Sequence, residues 1–240
     1  MPNILIPMRR GEMPVYLAIP PGAGRVPGVV VIHDAGGMTQ DTRNQADWLA
    51  EAGFLAVALN LYYRGGLAFC IRTIFHDLIV RSGPTFTQTA CADIECARAW
   101  LSAQPGCNGR VGIIGFCMGG AFALLLASDR GFSASSVNYG GKLPADIDNF
   151  LATACPIVAS YGVKDRWNRG VANQLERALE RALIAHDVKE YPDAGHSFMN
   201  NHQSVFFKAL RFAGIAYNEP AALDARRRIT AFFRTHLTLE

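Results

Sequence analysis

Apolar positions along this chain follow two alternating rhythms. Short runs rich in β-branched residues are separated by longer stretches in which apolar residues recur every three or four positions. Val15–Ile19 predicts a strand that ends at Pro20–Pro21–Gly22. Gly28–Ile32 predicts the next, leaving through His33–Asp34–Ala35–Gly36–Gly37. Residues 40–52 set Ala46, Leu49 and Ala50 on one helical face, with Gly53 as the stop. Phe54–Leu59 is a third strand. Residues 91–103 are helical through Ile94, Ala97 and Leu101, and Pro105–Gly106 ends them. Val111–Phe116 is apolar enough for a strand buried on both faces, and Ala121–Ala127 is made of good helix formers. Ala134–Tyr139 and Pro156–Tyr161 predict further strands, the second leaving through Gly162–Val163–Lys164–Asp165. An amphipathic helix follows on Val171, Leu175, Ala178, Leu179 and Ala182. Val188–Tyr191 is the last strand, with Pro192–Asp193–Ala194–Gly195–His196 as its exit. Pro220 opens a terminal helix. This alternation predicts one α/β domain over residues 1–240, a mostly parallel sheet with helices on both faces.

Residues 60–90 break the rhythm. They mix aromatics, three arginines (Arg64, Arg72, Arg81), His76 and two glycine-bearing turns. A stretch of this length between strand and helix is usually functional, and it is read as a lid or pocket wall, helical around 67–80. A surface excursion packed on the sheet edge is the plainer alternative.

Composition narrows the class. Of 240 residues, 50% are hydrophobic and 18% charged, enough to bury a sizeable core. The net charge of +3, without a Lys/Arg block, gives no reason to expect a nucleic-acid partner. Nothing at the N-terminus reads as a signal peptide. No apolar helical stretch approaches the roughly 20 residues of a membrane span. The six cysteines form no C-x-x-C pair and no Cys/His zinc spacing, so free thiols are expected, with no metal and no cofactor. The expectation is a cytoplasmic protein, monomeric or weakly homodimeric, acting on a small molecule.

The chemistry concentrates at Gly115–Phe116–Cys117–Met118–Gly119, a G-x-C-x-G version of the G-x-S-x-G nucleophile elbow. A strand turning sharply into a helix crowds its own backbone, which explains glycine two before and two after the cysteine. Such a turn lifts Cys117 Sγ to the top of the sheet, at a helix N-terminus where negative charge is stabilised. Asp165 and His196 leave later strands, each after a glycine-bearing turn. Alone, the first reads as a turn former and the second as a solvated loop side chain. Together with Cys117 they follow the nucleophile–acid–histidine order of α/β-hydrolases. A second reading keeps the thiol and drops the turnover: a redox-sensing or ligand-binding protein, with Cys70 in the 60–90 segment as resolving cysteine.

GFCMGG, the YGVKDRW segment and the PDAGHSFMN segment resemble the dienelactone hydrolase family of α/β-hydrolases. The resemblance runs from about residue 12 to the end, including Ala221–Ala222, Arg228, Phe232–Phe233 and His236–Leu237. It implies a cysteine hydrolase of esters or lactones without a cofactor, with Cys117 as nucleophile, His196 as base and Asp165 as its orienting acid. It also implies oxyanion donors at the backbone N–H groups of Met118 and Ala35. Two positions depart from the family. Asp34 stands where the family has a thiol-holding Glu, and Asn200 where it has a carboxylate-binding Arg. The pocket candidates are then Asn200, Arg64, Arg72, Arg81, Tyr62 and Tyr63, and neutral esters, lactones or thioesters are expected over anionic lactones.

Overall fold

A computed structural model describes residues 3–9, 11–22, 24–65, 85–203 and 214–238 of the chain. Among them, eight strands form one sheet: β1 (Asn3–Pro7), β2 (Glu12–Ala18), β3 (Val26–Ile32), β4 (Leu55–Leu59), β5 (Cys107–Phe116), β6 (Ala134–Asn138), β7 (Ile157–Gly162) and β8 (His186–Tyr191). Their order across the sheet is β1-β2-β4-β3-β5-β6-β7-β8. Pairs β1–β2 and β2–β4 are antiparallel, and all the others are parallel. The helices are α1 (Gln40–Glu51), α2 (Thr85–Ser102), α3 (Met118–Leu125), α4 (Ile147–Leu151), α5 (Val171–Arg181) and α6 (Glu219–Leu237).

Side-chain alternation along β5 assigns these helices to faces. A Cβ on Gly112 would meet Leu237 and Phe233 of α6. Gly115, three residues on, faces the other way, and a Cβ there would run into the Gly119 backbone in α3. α1 shares the α6 face, where Arg226 stacks 5.2 Å over Trp48 and Phe54 meets Phe233 edge-on. α2 shares the α3 face: Gly28 pairs with Val111, and a Cβ on it would press against Leu101 at 2.9 Å. Layers on both faces bury Val29–Ile32, Ala56–Leu59, Ile113 and Ile114 completely, which is why these strands read as unbroken apolar runs.

The pattern calls for this architecture but leaves two elements out. β1 is five residues with no turn signal ahead of it, and it is held by antiparallel pairing to β2, Asn3 opposite Tyr16. α4 is a single turn and a half, too short to show a period, and is capped by Asp146 accepting from Asn149 N. Boundaries also move. α2 begins at Thr85 rather than 91, and α3 at Met118 rather than Ala121. Of the 60–90 segment, the expected helix around 67–80, together with Cys70, Arg72 and Arg81, lies outside the described residues. Among the described residues, no helix is long and apolar enough to cross a membrane.

Parallel strands present their carboxyl ends at one edge of the sheet. The loops after β3, β5, β7 and β8 therefore open on the same side, where an open α/β sheet holds its ligands.

α6 is tied to the far end of this sheet by Arg228. Its Nη2 and Nε bond both oxygens of Asp187 at 2.6 and 3.0 Å, and its Nη1 reaches Tyr191 OH at 3.1 Å. Nη2 also donates to the Asp187 carbonyl at 3.0 Å. Removing a planar fork with this many acceptors leaves a partly buried carboxylate unpaired, a loss of about 2–3 kcal/mol. Arg228→Ala is expected to lower Tm by roughly 5–10 °C in a chain of this size, and Arg228→Lys to recover only part of it, both readable by calorimetry.

Candidate active site

Backbone sterics build the elbow. A Cβ on Gly119 would collide with the carbonyl oxygens of Ile32 and His33, as one on Gly115 would with Gly119, so both positions exclude every other residue. The turn forces Cys117 to φ 54°, ψ −114°, a strained conformation for a residue with a side chain. It is pinned there by Cys117 N–H donating to Asn138 O at 3.0 Å, while Asn138 Nδ2 donates back to Gly115 O at 3.1 Å.

The loops after β7 and β8 are pressed together in the same manner. Gly162 has no space for a Cβ against Ala194 O, and Lys164 N–H donates to Ala194 O at 3.0 Å. Gly195 lies equally close to Gly214 O, and Ala216 N–H donates to His196 O. His196 is thereby fixed between β7 and the 214–216 segment. Its Nδ1 donates to Asp165 Oδ2 at 2.7 Å, and its Nε2 lies 3.1 Å from Cys117 Sγ. Sulfur, imidazole and carboxylate form one continuous chain.

Burial opposes the imidazolium of His196, yet hydrogen bonds to Asp165 and Cys117 and their charges push its pKa up to about 9. Burial likewise opposes the Asp165 carboxylate. The hydrogen bond and charge of His196, the Asn168 amide and Trp167 N–H nevertheless hold its carboxyl below the ordinary value. Trp167, 56% exposed, stands edge-on to His196 at 4.8 Å between ring centroids.

Met118 opens α3, where a helical N–H has no intrahelical acceptor. Facing it is the turn after β3, closed by Gly37 N–H to Asp34 O and Gly36 N–H to Asp34 Oδ1. Ala35 is exposed inside this turn. Tyr62 OH donates to Ala35 O at 3.3 Å and reaches Met118 Sδ at 3.7 Å, so it sits beside both candidate oxyanion positions. Behind it, His33 is fully buried and its pKa is lowered by that burial. The neutral ring donates from Nδ1 to Asp34 O and accepts Leu61 N–H at Nε2, tying residues 61–62 to the turn.

Several expected site residues are engaged elsewhere. Asp34, expected to hold the thiol, hydrogen-bonds Gly36 N–H and His202 Nε2, the latter at 2.6 Å. The short side chain folds back onto its own turn. Asn200 is 5% exposed, and its side chain is taken up by neighbouring side chains. It accepts from Tyr139 OH at 2.5 Å and donates to Asp41 Oδ2 at 2.6 Å, because the turn closed by Asn200 N–H to Ser197 O points its side chain inward. Arg64 bonds Asp93 and Tyr63 OH, and Tyr63 OH donates to Asp93, so both side chains are drawn to α2.

Four neighbours went unnoticed in the sequence: Asp41, Tyr139, Asn168 and His202. Asn168 lies three residues after Asp165 and bonds its Oδ2 at 2.6 Å. Asp41, in the first turn of α1, receives Asn201 N–H as well as the Asn200 amide, and Gln45 Nε2 donates to Met199 O. His202 is raised in pKa by Asp34 and Asp41 against the effect of burial. Among the described residues, no group of three or more His, Cys, Asp or Glu side chains could hold a metal ion.

A family model described as the dienelactone hydrolase family matches residues 13–237. A carboxymethylenebutenolidase of Pseudomonas sp. (strain P51) is 29% identical over 200 residues, covering 78% of this chain and 80% of that protein. Among solved structures, a dienelactone hydrolase-like promiscuous phosphotriesterase from metagenomic libraries matches with TM-score 0.80 at 21% identity, over 99% of this chain and 98% of that one. The dienelactone hydrolase of Anabaena variabilis ATCC 29413 matches with TM-score 0.65 at 19% identity, covering 98% and 97%. At these identities the two structures speak for a shared fold.

The raised pKa of His196 makes the site's contribution to stability depend on pH. Charging the ring stabilises the folded protein fully below the unfolded value of about 6.5, and that gain disappears as pH rises through about 9. The Tm difference between the parent and His196→Gln is therefore expected to narrow between pH 6.5 and 9.5, measured by differential scanning fluorimetry.

Proposed function

Since the chain belongs to the dienelactone hydrolase family and is a hydrolase of ester or lactone bonds, we propose that it acts through Cys117, His196 and Asp165 on small neutral esters, lactones or thioesters. The observation that carries this reading is the continuous chain Cys117 Sγ, His196, Asp165 at 3.1 and 2.7 Å, mounted on a strained elbow. A redox sensor needs an accessible sulfur but no carboxylate-oriented imidazole beside it.

In this mechanism His196 takes the proton of Cys117, and Sγ attacks the substrate carbonyl. The developing oxyanion is received by the N–H groups of Met118 and Ala35, fixed in place before substrate arrives. His196 then protonates the leaving alcohol or the opened lactone oxygen. An acyl-thioester remains on Cys117. Water, deprotonated by His196, attacks the thioester carbonyl, and the acid leaves as sulfur regains the proton. Asp165 keeps the Nδ1–H tautomer throughout and balances the imidazolium charge.

The preference for neutral substrates rests on the two basic or amide candidates, Arg64 and Asn200, that lie among the described residues. Arg64 is held by Asp93 and Tyr63, and Asn200 is a buried strut, so neither is placed to clamp a substrate carboxylate.

Iodoacetamide is expected to label Cys117 and abolish hydrolysis of p-nitrophenyl acetate in step, and Cys117→Ala to reduce kcat to background. Wild-type turnover in that variant would overturn the mechanism. Asp165→Asn should lower kcat by about 10⁴-fold, as loss of tautomer control does in triads of this type, with Tm changed far less. Across p-nitrophenyl acetate, p-nitrophenyl butyrate, a neutral lactone, an acyl thioester and a cis-dienelactone, kcat/KM should be highest for a neutral member.

A further inference from the structure

Asn168 has no part in the mechanism above, yet it lies against two of the three side chains in it. It is 1% exposed, at the foot of the loop that carries Asp165 out of β7. Its Nδ2 donates to Asp165 Oδ2 at 2.6 Å and to Tyr139 O at 3.2 Å, which uses both amide hydrogens. The same nitrogen lies 3.4 Å from His196 Nδ1. Because Nδ1 carries its own proton toward Asp165, this last approach is donor against donor, a steric stop rather than a bond.

The other end of the amide has a different environment. Asn168 Oδ1 is buried with no hydrogen-bond partner among the described residues. A residue held only for packing would not leave a buried carbonyl oxygen unmatched, since an apolar side chain of similar volume avoids that penalty. What sets this position apart is the donor half, aimed at the carboxylate oxygen that His196 uses.

We propose that Asn168 is a positioning residue of the hydrolytic site, fixing the plane of the Asp165 carboxylate and the in-plane swing of the His196 ring. Oδ1 of Asp165 is held by Trp167 N–H at 3.0 Å, and Oδ2 is shared between the imidazole and the Asn168 amide. With both oxygens bonded, the carboxylate cannot rotate about its last torsion. The Nδ1–H bond then stays aligned while Nε2 exchanges its proton with Cys117 and the substrate. This inference rests on the Cys117–His196–Asp165 reading.

The isosteric change Asn168→Asp tests it, since it keeps the volume and converts the donor into an acceptor unless it is protonated. Among the described residues, the titratable groups around the position are Asp165 on its own loop, His196 from the loop after β8, Cys117 beyond the ring, Tyr139 from the end of β6, which packs on His196, and the Tyr161 phenol of β7, which acts on Asp165. Arg166 and Arg169 lie exposed on the same loop. All of these are common to parent and variant, so the ratio of their kcat values isolates the new group. At pH 8, two ionised carboxyls side by side repel and no donor remains, and kcat should fall by on the order of 10- to 100-fold. As pH drops toward 5.5, a proton shared by the pair restores the donor, and the variant-to-parent ratio should climb.

Asn168→Ala, which adds no charge, should lower kcat to a similar extent at every pH with KM for p-nitrophenyl acetate nearly unchanged. Asn168→Ser, a shorter donor, should recover part of the loss. A pH-independent ratio near one for Asn168→Asp, or a lowered Tm with kcat intact in Asn168→Ala, would overturn the proposal. Asp165→Asn, assayed in parallel, separates the two layers. If it retains activity, the triad reading has failed; if it is inactive while the Asn168 variants behave like the parent, only the positioning role has failed.

Discussion

Where β5 turns into α3 there is no room for a side chain, and the functional edge of the molecule is arranged around that lack of space. Gly115 is stacked on Gly119, Gly119 on the carbonyls that end β3, and Gly120 on the end of β6. Three parallel strands are thus locked at the point where they stop. The strain at Cys117 follows from the same contact, because the chain can reverse in so little depth only by sending one residue to positive φ. Cys117 Sγ is left partly exposed at the start of α3, where it meets His196 Nε2. A Cβ at position 115 would run into Gly119 O and one at position 119 into Ile32 O, so larger residues there would force the elbow open. His196, fixed from a different strand, would then no longer meet the sulfur.

How much of this is visible in the chain depends on the range of the interaction. Strands and helices follow local periodicity, and β3 to β8 lie where apolar runs and glycine-bearing exits put them. The positions of Cys117, Asp165 and His196 were legible too, because each stands beside a turn whose glycines announce a backbone under steric pressure. The groups that hold those three in place were not. Asp41 and Asn200 are 159 positions apart, and Asp34 and His202 are 168 apart. No local pattern distinguishes such a pair from two solvated loop residues. The two departures at Asp34 and Asn200 were readable as departures. What the chain could not reveal is that both side chains had been recruited to hold loops.

The buried polar groups divide by role. Cys117, His196 and Asp165 meet along the path a proton would take. Around them Asp41, Gln45, Asn200 and Tyr139 bind the 199–201 backbone to the first turn of α1, while Asp34 and His202 bind the same loop to the turn after β3. Placing carboxylates, amides and imidazoles this deep is unfavourable unless nearly every donor and acceptor is matched, and matched networks tolerate few alternative arrangements. The chain just past His196 is therefore held by polar bonds to two separate elements, α1 and the turn after β3. That suits a residue whose ring must stay within hydrogen-bond distance of two partners at once.

The strand order has a consequence in time. Cys117 and its elbow depend on β3, β5 and β6, all contained in the first 138 residues. The imidazole belongs to a loop beyond β8, at one edge of the sheet, and is steadied by residues 214–216 still later in the chain. As the protein is synthesised, Cys117 and its elbow are thus in the hands of a partly built sheet well before His196 has been made, and domains fold as their parts emerge. The sulfur passes through this interval without a proton acceptor beside it. The contact between Cys117 Sγ and His196 Nε2 is among the last the chain can make, and it forms only when the segments beyond β8 have docked.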